Sequence, residues 1–178
     1  MRKVLVSLIA LLAIALMPGV ASATHSNGPG PDKDFVAGAG KGPLLTPLGT
    51  FPAHYHANGQ SDAGGGGSPA QGTWFTDIFP TGVFASLGTV SISGPVLCVA
   101  ANGNDATWRG VITDSNTGLA PPGAGIISRW VDNGQGNDPP DGQIGFLTTP
   151  PGPNPSCPPT TFTTLPNLQG NLVVHDGI

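Results

Sequence analysis

The chain has 178 residues, and 28 Gly with 20 Pro make up over a quarter of it. Its ten acidic residues are all Asp, none is Glu, and Lys plus Arg number six, for a formal net charge of −4. This excludes a helical bundle, which needs Glu, Lys, Leu and Ala at helical spacing, a phosphate-gripping nucleic-acid binder, which needs a basic surface, and collagen, which needs Gly at every third position.

Residues 1–23 read as a cleaved export signal. Arg2 and Lys3 precede an apolar stretch from Val4 to Met17, Pro18-Gly19 ends it, and Ala21-Ser22-Ala23 offers the small residues that signal peptidase needs. The stretch is too short for the roughly 20 residues of a bilayer span. Its removal leaves four basic against ten acidic residues, a charge of −6, and predicts a secreted chain with no membrane span. Residues 24–33 have no apolar periodicity and read as a flexible leader, followed by a single β-domain over 34–178.

Asp34 to Gly40 is a short first strand candidate. Gly42 to Gly72, with Pro43, Pro47, Pro52, Pro69 and the run Gly64 to Gly67, reads as the least structured region, with a flexible Gly-rich loop near 58–72. Thr73 to Phe79 is β-branched and aromatic. Val83 to Ala101 follows, with Val90, Ile92, Val96, Cys98 and Ala100 on one parity and Ser91 and Ser93 on the other, the period of a half-buried strand. Pro95 within it implies a break, a bulge or an edge. Asn102-Gly103-Asn104-Asp105 is a turn signal, and Ala106, Trp108, Gly110 and Ile112 then alternate with Thr107, Arg109, Val111 and Thr113. Val96 to Thr113 therefore reads as a β-hairpin. Ile126 to Asp132, Gly142 to Thr149 and Gly170 to Asp176 are further strands, and a Pro-rich loop before the last carries Cys157. No window supports a helix. The expectation is an all-β antiparallel sheet, folded as a small sandwich or barrel with long Gly/Pro loops.

Cys98 and Cys157 are the two cysteines. Export and an even count favour one disulfide. Two thiols or a metal site are the rivals, and cysteines this far apart without a CxxC make a poor metal signal.

The residues Val96 to Thr107, with Arg109-Gly110-Val111-Ile112, resemble the core hairpin of a family of small exported bacterial proteins of uncharacterised function. The likeness continues through Val131-Asp132-Asn133-Gly134, Asp138-Pro139-Pro140-Asp141, Cys157 and Gly170-Asn171-Leu172-Val173-Val174-His175-Asp176. It reaches back through Ala53-His54 to Asp34-Phe35-Val36-Ala37-Gly38. Val99 departs from the usual Leu, and the Gly64 to Gly67 run looks like an insertion. The resemblance implies an all-β exported domain with both cysteines retained, and no particular activity.

Chemistry is concentrated in a few places. Asp132, Asn133, Asp138 and Asp141 supply the oxygen ligands that calcium prefers, although the spacing departs from an EF-hand; Asx-turns stiffened by Pro139-Pro140 account for the same residues. His54 and His56 project from one face of an extended segment, a weak two-ligand set for zinc or copper. Trp74, Trp108 and Trp130 could grip a sugar or peptide; Trp108 alternates with core residues, which leaves Trp130 as the ligand-contact candidate. His175-Asp176 is a poor base and orienter, because neighbours on a strand point to opposite faces. Gly-x-Ser-x-Gly, His-Glu-x-x-His and a phosphate loop are absent, so no residue is assigned a catalytic role. The first functional expectation is a non-catalytic exported interaction module for an extracellular protein or glycan. The alternative is an extracellular enzyme, or a calcium-stabilised adhesion domain, using the Asp132 to Asp141 loop.

Overall fold

A computed structural model of the chain describes residues 32–63, 70–134, 140–148, 157, 162–166 and 169–177. The segment 1–23 expected as an export signal, nearly all of residues 24–33 expected as a leader, the Gly64 to Gly67 run and most of the Pro-rich loop lie outside them. Ten strands are present among the described residues: β1 (Lys33–Thr46), β2 (Gly49–Asp62), β3 (Gln71–Ile78), β4 (Val90–Asn102), β5 (Asp105–Val111), β6 (Asp114–Ser115), β7 (Gly125–Val131), β8 (Gly142–Thr148), β9 (Leu165–Pro166) and β10 (Gln169–His175).

Seven of these, β1 to β5 with β7 and β8, close into a barrel. Every neighbouring pair is antiparallel except the seam, where Leu45 of β1 meets Phe146 of β8 in parallel. The parity of the meander requires this. A chain that reverses at each turn brings its first and seventh strands round in the same direction. The rest of the β1 edge is covered by β10, paired from Phe35 opposite His175 to Lys41 opposite Gln169. Closure and this outer strand leave little of the sheet edge open.

The local signals of the β4–β5 hairpin were sufficient. Asn102 pairs with Asp105 across a two-residue turn in which Gly103 takes φ 63°, a backbone region that suits Gly. Ala106, Trp108 and Ile112 are buried on one face as their alternation predicted. The parity expected for β4 fails beyond Val96. A bulge between Val96 and Cys98 shifts the register, so Val99 joins the core and Ala100 does not. Cys98 is also buried, but outside that core, and it forms the expected disulfide with Cys157, Cα to Cα 5.7 Å. The strand expected from Val83 begins only at Val90, and Gly82–Leu87 form a 3₁₀ turn.

The larger correction concerns Gly42 to Gly72. It holds the end of β1 and all of β2, two 14-residue strands paired from Lys33 opposite Asp62 to Thr46 opposite Gly49. Its composition reflects the barrel interior rather than loop chemistry. On β1 the inward positions are Asp34, Val36, Gly38, Gly40, Gly42 and Leu44. A Cβ on Gly40 would lie 2.7 Å from the Tyr55 hydroxyl, and one on Gly110 would lie 2.1 Å from Nε1 of Trp74. Glycine walls thus make room for large rings in a narrow barrel. Pro43 and Pro52 face each other across the hairpin, which confines their missing donors to one rung.

Those rings form the core. Tyr55 lies 6.1 Å from Trp130, Trp130 lies 5.8 Å edge-on to Trp108, and Trp108 lies 6.1 Å from Trp74. Nε1 of Trp74 donates to the Pro95 carbonyl at 3.1 Å. The indole N–H groups of Trp108 and Trp130 are buried without a hydrogen-bond partner among the described residues, at a cost of about 1–3 kcal/mol each. Ring packing, not polar pairing, therefore holds these two in place.

Candidate functional site

The register gives the barrel two unlike ends. At one end lie the start of β1, the β4–β5 turn, the end of β7 and the start of β8. Both ends of the acidic loop lie here, and the carboxylates of Asp132 and Asp141 point at backbone. Asp132 accepts hydrogen bonds from the amides of Gly134 (2.8 Å) and Val174 (3.2 Å). Asp141 accepts from those of Asn133 (3.0 Å) and Leu172 (2.7 Å). The Asn133 side-chain amide donates to the Pro140 carbonyl at 2.7 Å. Asp138 lies outside the described residues. Both ends of the loop are thereby tied to β10, and Asp132 makes the expected Asx-turn with Gly134, whereas the Asn133 side chain bridges to Pro140 instead.

Sequence reasoning missed the most buried acid at this end. Asp34 has no solvent exposure and accepts from the amides of Ala101 (3.1 Å) and Gly177 (3.0 Å), joining β1 to β4 and to the chain beyond β10. Its place two residues before inward-facing Val36 was the available signal. Asp176 accepts from the Gly103 amide at 2.6 Å, so it caps the hairpin turn rather than orienting His175. Lys33 pairs with Asp62, and Arg129 pairs with Asp105 at 2.6 Å. The hydrogen bond to Asp105 holds the Arg129 guanidinium above its ordinary value, and Arg129 also donates to the Phe162 carbonyl. Among the described residues, no three His, Cys, Asp or Glu side chains converge on a point that could hold a metal ion.

Trp130 is corrected as a ligand-contact aromatic. It has no exposed surface and sits between Tyr55 and Trp108, because its inward parity on β7 directs it into the core. Burial, and then the Asp141 carboxylate, push the Tyr55 hydroxyl above the ordinary tyrosine range, so it remains a neutral group in the interior.

The outer wall of β1 to β4 carries what the interior does not. His54 and His56 share this face, as their spacing predicted. His54 stands opposite Lys41 on one side and Asp77 on the other, with its ring 4.7 Å from Phe79. His56 stacks on Phe75 at 5.7 Å. Phe75 is 44 % exposed and separates two shallow troughs. One, of about 300 Å³, is floored by Gly40 and Gly170 and edged by Lys41, His54 and His56. The other, of about 380 Å³, is edged by Ser91, Ser93, Asp114, Ser115 and Asn116. Ser91 donates to Asp77 at 2.6 Å, which fixes that carboxylate on the outer surface. The alternation of β3 around Trp74 and Thr76 was the signal that could have placed Phe75 outside.

The second end is apolar. A cavity of about 140 Å³ opens between the β1–β2 turn, the segment before β4 and the segment before β7. Among the described residues, no titratable side chain lines it.

No family model, curated protein or solved structure matches this chain.

Proposed function

We propose that the chain is an exported, non-catalytic β-barrel module that binds an extracellular glycan through the outer wall around Phe75. The observation that carries this reading is the exposed Phe75 ring between two troughs edged by hydroxyl, amide, imidazole and carboxylate groups. Sugars present apolar C–H faces and a fringe of hydroxyls. An exposed aromatic ring flanked by short polar side chains on a rigid sheet matches both. The acidic loop supports a non-catalytic role, since Asp132 and Asp141 are each engaged by two backbone amides. Export is supported by the signal-like segment at 1–23 and by the disulfide. The resemblance to small exported bacterial proteins agrees with export and leaves the activity open.

Retention of the folded chain on cellulose, chitin and starch beads tests the proposal. Wild type is expected to be retained on at least one, and Phe75→Ala to lose retention while melting within a few degrees of wild type. No retention on any bead, or equal retention of the variant, would sink it.

A further inference from the structure

The apolar end of the barrel carries a separate inference. Its cavity has a buried floor of Phe51, Ile78, Val90 and Ala120. Its rim carries Leu48 at 43 %, Leu87 at 42 % and Leu119 at 57 % exposure. Three separate connections supply these rim leucines, so the exposure is not the accident of one loop. The connection before β4 repeats the pattern: the 3₁₀ turn Gly-Val-Phe-Ala-Ser-Leu buries none of its residues, and Val83 is 88 % exposed. Isolated exposed apolar residues are ordinary, but a set of them around a cavity marks a contact surface.

We infer that this cavity is a binding site for a small hydrocarbon ligand of about the size of a benzene ring. The volume of about 140 Å³ is close to the roughly 150 Å³ of an apolar cavity known to take benzene. Its chemistry selects the same class. Among the described residues, the only polar side chain lining it is Thr46, whose hydroxyl donates to the Gly49 carbonyl at 2.9 Å and accepts from the Leu48 amide at 3.2 Å. The hydroxyl is thus held within the β1–β2 turn. A sugar or an ion entering here would lose its water without replacement, whereas a hydrocarbon gains from the exchange. The location agrees with the use of barrel mouths as ligand sites. This site does not depend on the glycan reading, because Phe75 and both troughs lie on the outer wall, away from the floor of the cavity.

Benzene is the probe, titrated into the isotope-labelled, disulfide-bonded chain and followed through backbone amide shifts. Saturable shifts confined to residues near Leu48, Val90 and Ala120 are expected, with 1-hexanol competing for them. Ala120→Leu fills the floor and is expected to weaken benzene at least about tenfold, the scale of a lost methylene-sized fit. Ala120→Val serves if the larger side chain does not fold, and Phe75→Ala is expected to leave the titration unchanged. Absence of saturation up to the solubility limit of benzene would overturn the inference, as would saturation unaltered by the Ala120 variants. Co-sedimentation with phosphatidylcholine vesicles in the absence of a saturable benzene shift would also overturn it, assigning the leucines to a lipid surface.

Discussion

The two ends of this barrel solve the same problem in opposite ways. Strand ends leave backbone amides without ladder partners, and each must be satisfied or exposed. At one end Asp34, Asp132, Asp141 and Asp176 reach those amides and clamp β1, β4, β8 and β10 together. At the other end the connections turn through Pro47, Pro80 and the 3₁₀ segment, and leucines surround an open cavity. The tie at this second end runs through an amide side chain instead: Asn116 donates to the Thr89 carbonyl and accepts from the Ser91 amide, each at 2.9 Å, while the leucines around the cavity present an apolar surface.

Mutation can break this contrast, and the largest effect is expected where the clamped half is also covalently closed. Cys98→Ser opens a bridge with a sequence separation of 59 residues and is expected to lower stability by roughly 4 kcal/mol in the chain-entropy model, read by denaturant melting of both proteins. Asp34→Ala leaves the amides of Ala101 and Gly177 buried without their acceptor. A loss of about 2–4 kcal/mol is expected, and Asp34→Asn, which keeps one carbonyl oxygen, is expected to recover part of it. If the two variants melt together, the clamp is not what Asp34 contributes.

A smaller effect tests the interior between the ends. Tyr55 is the only tyrosine, so near-ultraviolet tyrosinate absorbance reports it alone. Its hydroxyl titrates above the ordinary value of 10.0 in the fold and near that value in the unfolded chain. The fold therefore favours the neutral form. That contribution is complete below about pH 10 and is lost as pH rises from there toward the folded value. Native protein is expected to show delayed tyrosinate formation relative to the chain in denaturant, and Tyr55→Phe to flatten the alkaline loss of stability. Coincident titration curves for native and denatured chains would contradict the burial of Tyr55. The smallest effect belongs to the open end. Leu119→Ser, at a position 57 % exposed, is expected to change stability by no more than about 0.5 kcal/mol. A loss comparable to that of Asp34→Ala would show that the open end also holds the fold.

The sequence was readable where the deciding interactions are local. The β4–β5 hairpin followed from Asn102-Gly103 and from alternation around Trp108, and the disulfide from an even count of two cysteines. The β1–β2 hairpin was not readable. Gly38, Gly40 and Gly42 look like breakers, and only their neighbours on other strands explain them: the backbone and Leu172 of β10 against Gly38, and the Tyr55 ring against Gly40 and Gly42. The β4 bulge was hidden for a related reason: Pro95 announced an irregularity, but only pairing with β5 fixes where the register slips. Phe75 and the apolar cavity were missed because each depends on which face of a closed sheet a residue meets.

The absence of Glu now has a structural counterpart. Asp has the short side chain that can turn back to a backbone amide within a tight turn or across a strand end, and that is the use made of Asp34, Asp132, Asp141 and Asp176. The amino-acid sequence by itself determined that this would be a disulfide-linked all-β chain, because period-two alternation and turn chemistry are written over a few residues at a time. Only the tertiary structure decided that the sheet closes into a seven-strand barrel with a clamped acidic end and an open apolar one. Closure, interior volume and the choice of which amides each carboxylate reaches are set by contacts between residues far apart in the chain, and no local pattern records them.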